Sequence, residues 1–217
     1  LQIRGDFMRG AIFDVDGVLL DSMGVWHKVT DRFFRAHGLT LSDEQAASYK
    51  DMTLEESLPL INEKYNLKMS FDEMYSQFRS MVAEEYKYNI ALKPYAREYL
   101  KSLHDAGVKI AVATSGYEGM CADAFKRTGI INYIDAYTFS SEVGCNKSKP
   151  DIYLLAARRI GENPTCCTVY EDIVPGIRSA SEAGFRTCAV YDETNADETD
   201  VLKRLSDRYI TGWKELL

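Results

Sequence analysis

The chain has 217 residues, 46% hydrophobic and 27% charged, a globular mix that excludes disordered, collagen-like and coiled-coil classes. Its 26 basic and 33 acidic side chains leave a formal charge of −7, which disfavours nucleic acid and anionic lipid as partners but permits a small anion in a local pocket. No apolar run reaches the ~18 residues needed to span a bilayer, and Cys121, Cys145, Cys166, Cys167 and Cys188 show neither a disulfide framework nor a zinc spacing, so a reducing, cytoplasmic setting is expected.

Leu1 to Phe7 read as a leader ahead of Met8. Gly10 to Phe13 is a compact apolar run that predicts a buried strand, closed by the polar turn Asp14-Val15-Asp16-Gly17. From Ser22 to Glu85 the texture becomes helical. Val25, Val29, Phe33 and Phe34 recur at helical spacing, as do Leu54, Leu58 and Ile61, and again Phe71, Met74, Phe78, Met81 and Val82. Ser70-Phe71-Asp72-Glu73 has the form of a capping box. About four helices and no strand are expected in this stretch.

After Pro94 strands and helices alternate. Helices are predicted over 95–104, 119–128, 151–160, 176–183 and 201–205. Strands are predicted over 108–113, 136–139, 167–170, 187–191 and 209–210. This alternation implies a parallel sheet covered on both faces. The expected architecture is a doubly wound α/β core, residues 8–17 and 93–217, with a helical cap domain inserted at 18–92.

In such a sheet, ligands bind beyond the carboxyl ends of the strands. Three of those ends carry polar residues: Asp14 and Asp16, Thr114 and Ser115, and Glu171 and Asp172. Four carboxylates meeting in one crevice would repel one another, and a hard divalent cation, Mg²⁺, is the simplest relief. Lys147 or Lys149 would offset further charge. Mg²⁺ characteristically takes one or two carboxylates plus substrate phosphate, so a phosphorylated substrate suits the cluster.

Phe13-Asp14-Val15-Asp16-Gly17-Val18-Leu19-Leu20-Asp21-Ser22 resembles the first motif of the haloacid dehalogenase-like superfamily. Thr114 resembles the second, Lys147-Ser148-Lys149-Pro150-Asp151-Ile152 the third, and Val169 to Ile177, with Glu171-Asp172 at its centre, the fourth. All four stand in order, in a Rossmann-like core-plus-cap layout similar to the phosphoglycolate phosphatase and β-phosphoglucomutase subgroup.

The resemblance implies a Mg²⁺-dependent phosphatase acting on a small phosphorylated metabolite. Asp14 would be the nucleophile that forms an aspartyl-phosphate, and Asp16 the general acid and then base, its backbone carbonyl also meeting the metal. Thr114, the amide of Ser115 and Lys147 would hold the phosphoryl oxygens. Asp14 and Asp172 would ligate the metal, with Glu171 assisting directly or through water. The usual Lys-Pro-x-Pro-Asp pattern places the lysine at Lys147, with Ser148 replacing its first proline and Lys149 the runner-up. A monomer with no nucleic-acid or membrane partner is expected.

Alternatives remain open. A phosphomutase would want a cap arginine, and the matching position here resembles Leu54, while Asp51 stands where glycine is usual. A phosphonatase would need a cap lysine such as Lys50 or Lys64. A dehalogenase is disfavoured by Asp16 and the metal carboxylates, and an inert scaffold by retention of the motif residues. Trp26, Lys50 and Glu55 are candidates for substrate contact.

Overall fold

The computed structural model describes residues 8–42, 45, 52 and 54–217. The sequence expectations at Leu1 to Phe7, Lys50 and Asp51 lie outside the described residues. The chain divides into two compact units, one formed by Leu1–Met23 with Ile90–Leu217, the other by Gly24–Asn89.

The larger unit is built on six parallel strands, β1 (Gly10–Phe13), β2 (Lys109–Thr114), β3 (Ala136–Phe139), β4 (Cys167–Glu171), β5 (Arg186–Val190) and β6 (Arg208–Ile210), in the order β3-β2-β1-β4-β5-β6. Chain order reverses at β1, so the crevice beside it is where such a sheet binds ligands. The helix-and-strand alternation read from the sequence is borne out.

Strand side chains alternate faces, and both faces are buried. Ile12 packs with Ala111, Ala113 and Val169 against Ile152, Tyr153, Ala156 and Ala180, which belong to α7 (Asp151–Arg159) and α8 (Val174–Glu182). Phe13 faces the other way. It stacks on Tyr170 at 4.5 Å, while Trp213 stacks on Tyr99 of α4 (Ala96–Asp105) at 5.2 Å. Trp213 Nε1 donates to the Val18 carbonyl at 3.0 Å, tying the C-terminal end to the turn after β1.

Val18, Leu19 and Leu20 are at most 1% exposed and belong to this unit. Leu20 bridges Leu92, and the Asp21 and Lys93 amides donate to the Ala91 and Leu19 carbonyls, each at 2.9 Å. The outgoing and returning chains are therefore paired inside the α/β unit, and the helical unit begins only at Gly24.

Among its described residues the helical unit holds α1 (Val25–Ala36), α2 (Leu54–Tyr65) and α3 (Phe71–Tyr88). Ser70 caps α3 with the expected reciprocal box, its Oγ accepting from the Glu73 amide at 3.3 Å and its own amide donating to Glu73 Oε2 at 2.8 Å. Val29, Phe33 and Phe34 of α1 are buried with Phe78, Met81 and Val82 of α3 and with Leu58 and Ile61 of α2. Lys28 adds a 2.6 Å ion pair to Glu85, which is nearly buried. The larger unit continues with α5 (Glu118–Thr128), α6 (Ser140–Val143) and α9 (Thr199–Leu205).

Candidate active site

Register brings the motif residues together. Phe13 pairs with Val112 on one side and Tyr170 on the other, so Asp14, the next residue, lies level with Ala113 and Glu171. Thr114 is one step beyond. The Asp14 amide extends the ladder by donating to the Tyr170 carbonyl at 3.0 Å. Gly17 then turns the chain with φ +80°, a conformation natural to glycine. A side chain there would also overlap the Asp172 carboxylate.

Asp14, Glu171 and Asp172 are all buried, and each offers an oxygen within 4.8 Å of the others. Lys147, 5% exposed, places its ammonium on Asp14 Oδ1 and Glu171 Oε1 at once. Its main chain is held by Ser179, whose Oγ donates to the Lys147 carbonyl at 2.7 Å. Lys149 is exposed and lies outside this cluster.

Glu171 has four partners. Oε1 accepts from Lys147 and from Tyr153 OH at 2.9 Å, and Oε2 accepts from the amides of Asp172 at 2.9 Å and Ile173 at 3.3 Å. A carboxylate offers about four lone-pair sites, so the Glu171 oxygens are fully occupied and held in place. Gly176 makes this possible, because a Cβ there would come within 2.7 Å of Tyr153 OH and 2.8 Å of Glu171 Cδ.

The cluster sums to three carboxylates and one ammonium, a formal −2. Burial pushes the Asp14 carboxyl up to about 7, with Glu171 and Asp16 adding to the rise and the Lys147 ammonium opposing it. Burial, then Glu171 and Asp14, raise Asp172 well above the usual carboxylate range. Burial alone would lower the Lys147 pKa, but Asp14 and Glu171 outweigh it and raise it. Oxygen donors, a closely spaced buried set and an uncompensated −2 all fit a hard divalent cation.

Asp16 stands beside this set rather than in it. It is half-buried, its Oδ1 accepts from Ser22 Oγ at 2.6 Å, and its Oδ2 lies close to Gly116. Thr114 is fully buried, and its Oγ1 accepts from the Gly116 amide at 2.9 Å. Ser115 is exposed, its hydroxyl 2.9 Å from that of Ser140. Sequence reasoning missed Tyr153, Ser179 and Asn195, the last donating to Asp172 Oδ2 at 2.9 Å. Ser22 stood in the first motif without an assigned role.

A family model described as "haloacid dehalogenase-like hydrolase" matches residues 8–184. The chain belongs to the haloacid dehalogenase-like hydrolase family. The hydrolase is 29% identical over 181 residues to the phosphorylated carbohydrates phosphatase of Thermotoga maritima, covering 82% of each chain. It is 27% identical over 197 residues to hexitol phosphatase A of Escherichia coli, covering 89% of each. Its fold matches that of the CbbY protein of Rhodobacter sphaeroides, solved with xylulose-(1,5)bisphosphate, at a TM-score of 0.76 and 20% identity over 97% of this chain and 96% of that one. The family and the Rossmann-like core expected from the four motifs are therefore found. No helix among the described residues is long and apolar enough to cross a membrane.

Proposed function

We propose that this hydrolase is a Mg²⁺-dependent phosphatase that removes phosphate from a small sugar or polyol phosphate through an aspartyl-phosphate at Asp14. The observation that carries the reading is the buried cluster of formal charge −2 at the switch point of the sheet, with the Asp14 carboxylate and Lys147 at its centre. The curated relatives that act on phosphorylated carbohydrates and hexitols support the substrate class.

Asp14 and Asp172 would hold the cation directly. Glu171, with its lone pairs taken, would reach it through water. The cation would supply charge neutralisation to the transferring phosphoryl group. Lys147 adds a positive charge beside the nucleophile and, with Thr114 and the Ser115 amide, binds phosphoryl oxygens. Charge-directed donors of this kind stabilise the transition state.

In the first step an Asp14 oxygen bonds to phosphorus while the ester P–O bond breaks, and the Asp16 carboxyl gives its proton to the departing oxygen. In the second, the Asp16 carboxylate takes a proton from water as that water bonds to phosphorus. The bond to Asp14 breaks, releasing inorganic phosphate and restoring the carboxylate. Ser22 orients Asp16 through the 2.6 Å hydrogen bond. By resemblance, Leu54 matches the sequence position at which the mutases carry a cap arginine, and its lack of charge favours hydrolysis over phosphoryl return.

Phosphate release from a panel of hexose and hexitol phosphates, with and without Mg²⁺, tests the reading. Mg²⁺-dependent release is expected. Conversion of glucose 1-phosphate to glucose 6-phosphate without net phosphate release would replace it with a mutase.

A further inference from the structure

Asn195 lies outside all four motifs, in the segment between β5 and α9. Its Nδ2 donates both to Asp172 Oδ2 at 2.9 Å and to the Asp172 main-chain carbonyl at 3.3 Å. Two acceptors on one residue, bridged by one amide, restrict rotation of the Asp172 side chain. An amide does this without adding charge, so the −2 that attracts a cation is left intact. An ammonium in the same place would compete with the cation.

Asn195 is itself held. It departs from helical geometry, with φ −114° and ψ 23°, inside the short turn Glu193–Glu198. Asp192 opens that turn, its Oδ1 accepting from the Thr194 amide at 3.0 Å and from Thr194 Oγ1 at 2.6 Å. The other Asp192 oxygen pairs with Lys93 Nζ at 2.7 Å, and Lys93 Nζ also donates to the Tyr191 carbonyl at 2.9 Å. Both charges are largely buried, at 15% and 7% side-chain exposure, so the pair is less screened than a surface one. Lys93 follows Leu92, which pairs with Leu20 where the chain returns from the helical segment.

We propose that Asn195 is a positioning residue for the metal ligand Asp172, and that the Lys93–Asp192 ion pair holds Asn195 to that task. The path runs from the paired linker to the cation-binding carboxylate through Lys93, Asp192, Asn195 and Asp172. This rests on the proposed reading that Asp172 ligates a divalent cation. Groups that orient metal ligands commonly change affinity or activity about 10–100-fold when removed.

The test is calorimetric titration of Mg²⁺ into the full-length, substrate-free protein. Asn195→Ala should weaken binding about 10–100-fold, with the metal-free urea midpoint read alongside to separate the folding cost of two lost hydrogen bonds from the loss of affinity. Asn195→Ser, too short to bridge both acceptors, should lose affinity in the same direction and serves if the alanine variant does not fold. Lys93→Met should lose about threefold to tenfold, because it acts one step removed. The double variant Lys93→Met/Asn195→Ala should bind no more weakly than Asn195→Ala alone, since the ion pair acts through the amide. Wild-type affinity in both Asn195 variants overturns the proposal. A double variant whose loss is the product of the single losses overturns the link through Lys93. Asp172→Asn separates the failures. If it binds Mg²⁺ like the wild type, the metal reading itself falls. If it loses binding while Asn195→Ala does not, only the positioning role falls.

Discussion

The cluster leaves a signature in the metal-free protein that activity assays do not see. In the folded chain Asp14 titrates at about 7, against about 3.9 for an unfolded aspartate. A carboxyl with a raised folded value contributes stability that is full below the unfolded value and is lost as pH rises through the folded value. Metal-free stability should therefore fall between about pH 4 and pH 7, by up to ~1.4 kcal/mol per pH unit for this one group. The span of about three pH units puts the full loss on the order of 4 kcal/mol. Asp172 shifts in the same direction and steepens the fall. The carboxylates with lowered values, among them Glu85, Asp135 and Asp192, act the other way. They gain as pH rises through the ordinary carboxylate range and are saturated above about pH 5. Urea unfolding in EDTA at pH 5.0, 6.0, 7.0 and 7.5 isolates the window. Asp14→Asn should flatten the profile and raise stability at pH 7.5, and saturating Mg²⁺ should flatten it in the wild type. Metal-free stability that is level or rising from pH 5 to 7.5, with the same profile in Asp14→Asn, would refute the charge account of the site.

Lys147→Met should cost about 3–5 kcal/mol of metal-free stability at pH 7.5, because it leaves buried Asp14 and Glu171 without their cation; urea midpoints at that pH and at pH 5 should show the deficit shrinking as Asp14 protonates. Excess chelator should abolish phosphate release and Mg²⁺ restore it, while Ca²⁺, with its larger and looser coordination, should support it poorly; full activity in EDTA would remove the metal from the mechanism. Asp16→Asn should slow phosphoryl transfer to Asp14 by about 10²–10⁴-fold for an alkyl phosphate and less for an aryl phosphate, since the aryl group leaves with little protonation. Single-turnover quench measures the two, and equal losses would deny Asp16 the role of acid.

The strand ends were legible because their signals are local. β1 and β2 are compact apolar runs, and the first, second and fourth motifs sit where a strand stops. Pro175, favoured in a first helical turn, explains why α8 starts at Val174 rather than at the expected 176. The choice of Lys147 over Lys149 needed only a count back from Pro150, and Lys147 is the lysine that reaches the cluster. What stayed hidden is long-range. Tyr153 finds Glu171 across 18 residues, Asn195 finds Asp172 across 23, and Lys93 finds Asp192 across 99. No periodicity encodes such partners, because they are set by loop conformations between elements. Val18 to Leu20 read as the start of the helical insert. Their burial under Trp213 and their pairing with the returning chain depend on residues some 70 and 195 positions away.

The central claim is a covalent phosphoryl group on Asp14. Rapid acid quench of enzyme mixed with a hexitol phosphate and Mg²⁺, followed by peptide mass spectrometry, tests it directly. The account predicts a transient gain of one phosphoryl group on the peptide carrying Asp14, slower to disappear in Asp16→Asn because the water has lost its base. In folded Asp14→Asn both the adduct and turnover should be absent. Turnover by folded Asp14→Asn at the wild-type rate, or single-turnover phosphate release with no adduct at any quench time even in Asp16→Asn, would contradict it.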